Sequence, residues 1–250
     1  MSRISEKARI GSKTSVGEYC VIEDDVVIGD NCQIGHHVII RSGTRIGEGV
    51  RIDDHASIGK MPMSAANSAV TKETELEPCS IGDHCLIGAS VVVYAGSTIG
   101  EGVLVADLAS IREHVSIGDK TIIGRGVSIE NMCTIGQYCK LETNTYITAY
   151  SKLEDYVFVA PGVLTSNDNY LGRTEERFKH FKGVTVRIGG RLGVGSIILP
   201  GREIEPDAVV AAGAVLTKNA PANSIVAGVP AREMKRVPDE QKLDRQGWID

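Results

Sequence analysis

Large rings are scarce in this sequence. Only 4% of its 250 residues are aromatic, with one Trp and three Phe, so a core of interlocked rings is excluded and burial falls to small aliphatics. An excess of positive charge is also missing. Lys+Arg number 27 against Asp+Glu 32, a net charge of −5, which argues against a general nucleic-acid or anionic-membrane binder, although a local basic patch fits within that balance. No window approaches the roughly 18 uninterrupted apolar residues of a membrane span, and Met1 to Ile10 carry no apolar signal core. A cytoplasmic location is expected. The six cysteines include no C-x-x-C pair, which disfavours zinc-ribbon and thioredoxin-type chemistry. A hydrophobic content of 42% nevertheless excludes wholesale disorder.

What is present is a period of six. Aliphatic residues stand at Ile4, Ile10, Val16, Ile22, Ile28 and onward to Ile58, again from Ile81 to Val159, and again from Val186 to Leu216, giving 30 hexads. Four residues after the aliphatic comes Ala, Val, Ser, Thr or Cys in 27 of the 30, the exceptions being Pro62, Gly190 and Arg202. Such a period matches neither a helix nor sustained strand alternation, but it suits a short strand followed by a tight corner. Three sides then close a triangular coil of 18 residues. Gly directly after the aliphatic, as in Ile28-Gly29 and Ile34-Gly35, is expected to supply the unusual backbone angles of the corner. Cys20, Cys32, Cys85, Cys133 and Cys139 occupy the small position and read as packing residues, with Cys79 alone outside the register.

This pattern resembles the left-handed parallel β-helix of the hexapeptide-repeat transferases. The resemblance supplies the handedness, since the general preference for right-handed crossovers points the other way. An all-β solenoid is therefore expected over 1–220, with excursions at about 60–79 and 166–185, followed over 221–250 by an irregular segment and a short C-terminal helix beginning near Pro238. The wall is expected to end after Leu216. Because the hexads begin at Ile4, no N-terminal dinucleotide-like domain or helical bundle is expected.

One fold serves several chemistries, so three readings stay open: acyl transfer from coenzyme A, zinc-dependent hydration of carbon dioxide, and a non-catalytic solenoid. The zinc reading rests on a likeness to gamma-class carbonic anhydrases, but the six histidines lack the local pair that family uses, and no metal is expected. His37 and His55 lie one coil apart near an outward corner, where a satisfied surface role outweighs a metal site. A plain solenoid needs neither long excursions nor clustered charge. Between Gly172 and Arg191 there are six basic residues against two acidic ones, a local excess suited to a diphosphate.

Further motifs narrow the likeness. Gly193-Val194-Gly195-Ser196, Ala211-Ala212-Gly213-Ala214 and Ala227-Gly228-Val229-Pro230-Ala231-Arg232 resemble the coenzyme A-holding segments of the superfamily, implying acetyl-CoA contacts at Gly195, Ser196, Ala212, Gly213, Lys218 and Arg232. Asp107-Leu108-Ala109-Ser110-Ile111-Arg112-Glu113, Ser128-Ile129-Glu130-Asn131 and the Ser166-Asn167-Asp168-Asn169-Tyr170 loop resemble N-acyltransferases of nucleotide-linked 3-amino sugars, enzymes of lipopolysaccharide and cell-surface glycan biosynthesis.

Glu113 and Asn131 are 18 apart and so fall at one corner of adjacent coils, about 4.8 Å apart along the axis. Asp107 and Arg125 share another corner, and Asp107 is the rival carboxylate. The resemblance implies that Glu113 and Asn131 hold the sugar amine and a neighbouring hydroxyl while the amine attacks the thioester, a backbone N–H receives the oxyanion and the thiolate collects the proton. Arg173 and Arg177 are expected at the diphosphate. The alternative is an O-acetyltransferase with His84 or His114 as base. The resemblance implies a homotrimer with coenzyme A in the groove between adjacent β-helices and each site built from two chains, and the same is expected here.

Overall fold

The computed structural model describes residues 1–66, 68 and 75–248; part of the expected first excursion at about 60–79, Asn67 included, lies outside them. Two-residue strands alternate with corners along the whole chain and stack into three parallel walls. The first wall holds 11 strands from Arg3–Ile4 to Val215–Leu216, the second holds 10 from Arg9–Ile10 to Glu203–Ile204, and the third begins at Ser15–Val16 and holds 12. Partners are mostly 18 residues apart, as in Ile22↔Ile40 and Ile111↔Ile129, rising to 35 across the first excursion, as in Ile58↔Val93, and to 33 across the second, as in Leu153↔Val186. The chain is thus the left-handed parallel β-helix that the hexads imply.

The aliphatic of each hexad and the small residue four places on fill the prism together. Ile40, Ile58, Ile111, Ile129 and Ile147 are fully buried, as are Val38, Ala56 and Val127. At several positions where the small residue is Cys, Thr or Ser, its side chain donates to a carbonyl of the following coil, as Cys133 Sγ does to Thr148 O at 3.1 Å, Thr121 Oγ1 to Gly136 O at 2.8 Å and Ser97 Oγ to Arg112 O at 2.7 Å. A buried polar atom is thereby satisfied without leaving the wall.

The structure corrects several expectations. Cys79 belongs to the register: fully buried, it stands two residues before Ile81 as Cys20 stands before Ile22, and its carbonyl accepts from Arg45 N at 3.0 Å. Both excursions return to the wall on such a small residue, the second on Val184. Thr165 takes an inward position in Leu164–Thr165, so the second block runs one rung further than its aliphatics suggest. The third wall does not stop after Leu216: Ser224–Ala227 pairs in parallel with Val209–Val210, and Arg232–Arg236 folds back antiparallel upon it. In place of one terminal helix, two 3-10 turns follow at Asp239–Gln241 and Leu243–Arg245. Leu243 is buried and its N–H donates to the Asp207 carboxylate.

Glycine also has a different task. The left-handed corner residue is the third after the aliphatic and is usually not glycine, as at Lys13, Asn31, His37 and Tyr138 with φ between 55° and 57°. Gly29, directly after Ile28, is needed for room: a Cβ there would lie 2.5 Å from Gly47 O and 2.6 Å from Gly47 C in the next coil.

Replacing Gly29 with Ala should therefore destabilise the fold by about 1–3 kcal/mol, while Lys13→Gly should be neutral or stabilising, read as opposite shifts of the urea midpoint. Burial pushes the thiols of Cys79 and Cys133 up to about 12 and those of Cys85 and Cys139 up to about 11. These four should not react with Ellman's reagent at pH 8 until the chain is unfolded. Since the unfolded thiols lose protons above about 8.5 while the native ones keep them, stability should fall as pH climbs from about 9 toward 11.

Candidate active site

Each corner carries its own chemistry. At the second and third corners, carboxylates two residues after the aliphatic accept the backbone N–H of the preceding coil: Asp30 from Ser12 at 2.6 Å, Asp54 from His36 at 2.7 Å, Asp119 from Glu101 at 2.8 Å and Asp155 from Gln137 at 2.9 Å. Asp107 is one of this series, accepting from Ala89 N at 2.9 Å on an exposed corner. The repeat gives it a structural task and sets it apart from Glu113. His37 and His55 stack face to face at 4.9 Å, with Tyr19 stacked on His37 at 5.1 Å, so the rings pack by their faces rather than converge through nitrogen.

The first corner is different because both excursions leave from it, after Ser57–Lys60 and after Leu164–Thr165. Between them stand the rungs ending in Tyr94, Glu113, Asn131 and Ala149. Glu113 and Asn131 are buried, 4% and 2% exposed, as is Thr148 at the same corner, which lines an opening there. Burying a carboxylate demands compensation, and it comes from Arg112, whose Nε and Nη2 meet the two Glu113 oxygens at 2.8 and 3.0 Å. Nη1 of the same guanidinium reaches Glu130 Oε2 at 3.4 Å. The plane of Arg112 lies 5.0 Å from the Tyr94 ring, and Lys60 sits 4.5 Å from that ring with its Nζ 3.1 Å from the hydroxyl.

Beside this cluster the second excursion folds back toward the wall and borders an open cavity of about 230 Å³, lined by Glu130, Tyr146, Thr148, Ala149, Asn167, Asp168, Arg177 and Phe181. Burial lifts the Glu130 carboxyl above its ordinary range, against the pull of Arg112 and with the help of Glu113. Burial likewise lifts the Tyr146 hydroxyl. For Arg112, burial works against the charge, but Glu113 and Glu130 outweigh it and raise its pKa.

The residues expected at the diphosphate do not act as a pair. Arg177 is held by Asp168 at 3.2 Å and stacks near Phe178 and Phe181, forming part of the cavity wall, whereas Arg173 stands exposed on the outside of the loop. His84 and His114 occupy left-handed positions on different corners, both exposed. Gly195, Ala212 and Gly213 lie together on the third corner. A Cβ added at Gly195, Gly213 or their stacked neighbour Gly162 would meet nothing within 4 Å, so the backbone there is open to close approach. Ser196 is fully buried in the small wall position. Arg232 opens the strand that pairs with Ser224–Ala227 next to this corner, while Lys218 stands one wall away, on the first corner.

Reading by residue type alone passed over Arg112, Glu130, Tyr94, Lys60 and Tyr146 as site residues. The usable signal was register: counting hexads in threes places both excursions at the corner that carries Glu113 and Asn131.

Comparison with known proteins agrees with the fold. Residues 7–42 match the bacterial transferase hexapeptide (six repeats), and residues 78–106, 110–149 and 186–218 match the hexapeptide repeat of succinyl-transferase. Together these matches take in more than half of the chain, which belongs to the hexapeptide-repeat transferase family. A galactoside O-acetyltransferase of Escherichia coli is 33% identical over 91 residues, 35% of this chain and 45% of that protein. A 2,3,4,5-tetrahydropyridine-2,6-dicarboxylate N-acetyltransferase of Staphylococcus aureus is 36% identical over 55 residues, 22% of this chain and 23% of its own length. The matches thus span less than half of either relative. An Arabidopsis UDP-N-acetylglucosamine acyltransferase structure superposes with a TM-score of 0.63 at 19% identity, covering 93% of this chain and 72% of that one, a likeness of fold. Among the described residues no helix is long and apolar enough to cross a membrane.

If Asp107 serves the corner, Asp107→Asn should leave turnover within about twofold of wild type, as surface changes away from a site do, and lower the melting temperature slightly. A large loss of activity with unchanged melting would return it to the catalytic list.

Proposed function

We propose that this chain is an acyl-CoA-dependent N-acyltransferase, with acetyl as the acyl group, acting on the amine of a nucleotide-linked amino sugar. The observation that carries the reading is the Glu113–Arg112–Glu130 cluster with Asn131 beside a small cavity, at the corner from which both excursions leave. A carboxylate-rich pocket suits an amine. Asn131 and Glu113 sit where they would orient the sugar, the first by its amide and the second through Arg112. A neutral amine attacks a thioester readily, so alignment and oxyanion stabilisation supply most of the rate.

Coenzyme A would run along the third corner, where Gly162, Gly195 and Gly213 leave the backbone open for the pantetheine arm and Arg232 stands near for a phosphate. Within one chain that strip and the Glu113 corner are different edges of the prism. A complete site then needs two chains, which supports the homotrimer with coenzyme A between neighbours. The E. coli relative keeps an O-acetyltransferase as second reading; exposed His114, directly after Glu113 on the first corner, would be its base, while His84 stands on the second corner.

The test is a thermal-shift screen with acetyl-CoA and a panel of dTDP- and UDP-linked amino sugars, followed by turnover read as thiol release. Glu113→Gln and Asn131→Ala should lower kcat by about 10²–10³ while wild type is a trimer by light scattering. Asn131→Ala and Gly195→Trp chains, each inactive, should regain about a quarter of wild-type activity when mixed as unfolded chains and refolded together, because one site in four then pairs two intact halves. No recovery would place both halves in one chain, and turnover of hydroxyl acceptors only would install the O-acetyltransferase.

A further inference from the structure

The carboxylates at the first corner are unevenly paired. Arg112 gives its two shortest contacts to Glu113, at 2.8 and 3.0 Å, and only a 3.4 Å contact to Glu130. The Glu113 side chain is 5% exposed and does not line the cavity; that of Glu130 is 25% exposed and does. Across the cavity, Asp168 already has Arg177 at 3.2 Å. Pairing these groups off leaves one carboxylate, Glu130, facing the opening with its charge only partly matched.

We infer that Glu130 is the carboxylate that receives the substrate's ammonium group and takes its first proton, with Glu113 acting as a positioning residue that locks Arg112. This rests on the N-acyltransferase reading above. An amino sugar arrives at neutral pH as R–NH3+. In the cavity one N–H bond breaks and an O–H bond forms on Glu130, leaving R–NH2 and a neutral carboxylic acid. The amine nitrogen then bonds to the thioester carbonyl carbon, the C–S bond breaks, and the coenzyme A thiolate takes the proton that the nitrogen sheds in becoming an amide. Glu130 afterwards returns its proton to water. The sum is R–NH3+ plus acetyl-CoA giving amide, CoA-SH and H+.

The surroundings favour such a transfer. Glu130 is faced by Arg112 and Glu113 from the preceding rung, by Tyr146 from the following one, and by Asp168 and Arg177 from the second excursion. Its raised pKa, caused by burial and opposed by Arg112, makes it a better proton acceptor than a solvated glutamate. The cavity is small and its carboxylate stands between two rungs, so the ligand group it fits is a primary ammonium on a ring rather than an extended cation.

The test uses full-length protein, acetyl-CoA and a dTDP-3-amino-3,6-dideoxyhexose, with thiol release as readout. Glu130→Gln should lower kcat about 100-fold at pH 7 and recover about tenfold per pH unit toward pH 9, as the amine itself sheds its proton; a merely structural residue would show no such rescue. A variant with wild-type kcat and pH profile overturns the inference and leaves the N-acyltransferase intact. Without any variant, wild type should bind the 3-hydroxy analogue at least about tenfold more weakly than the amine at pH 7, and equal affinity also overturns it. Wild-type turnover with no amine in the panel would overturn the reading and the inference together.

Discussion

Everything in this molecule depends on how closely one coil can lie upon the next. Backbones repeat at about the 4.8 Å spacing of paired strands, and at Gly29 there is no space for even one additional carbon. That closeness forces residues 18 apart into register, and the register turns a linear six-residue pattern into vertical columns of like chemistry. Columns of isoleucine fill the prism, columns of Cys, Thr and Val close its edges, and columns of carboxylate tie successive corners through backbone N–H groups.

A functional site in such an array is an interruption of a column. At the second and third corners the acidic residue is exposed and bonded to backbone. At the first corner Glu113 and Asn131 are buried instead, because the chain leaves the wall on either side of them and the second excursion returns over the gap. Burial changes what a carboxylate must have near it, and Arg112, stacked by Tyr94 and Lys60, is the answer the structure supplies. The resulting ion cluster is polarised toward the cavity through Glu130.

The architecture was legible almost to the residue, because a period of six repeated thirty times admits little else. Its errors were local and have physical causes. Thr165 escaped notice because a threonine in the aliphatic column breaks the pattern of residue type while keeping the packing, and Cys79 because the excursion resets the count. Gly29 was read by its conformational freedom, whereas close approach is what it provides. The adjacency of Glu113 and Asn131 came from spacing, and their expected role from the family resemblance; the coils do place them on adjacent rungs of one corner. Spacing could not separate Asp107 from Glu113, since both stand two places after an aliphatic; only the hydrogen bond from Ala89 and the difference in burial do so. Arg177 looked like a free cation because Asp168, its partner, lies nine residues away within an irregular loop.

Both long insertions emerge at a single edge, and the other two edges keep their corners short over the full height of the prism. Variation in chain length is therefore concentrated on one part of the surface. Loops grafted in at this edge leave the stacked rungs and the two remaining faces untouched, so this edge is free to change in length and chemistry without disturbing the packed interior.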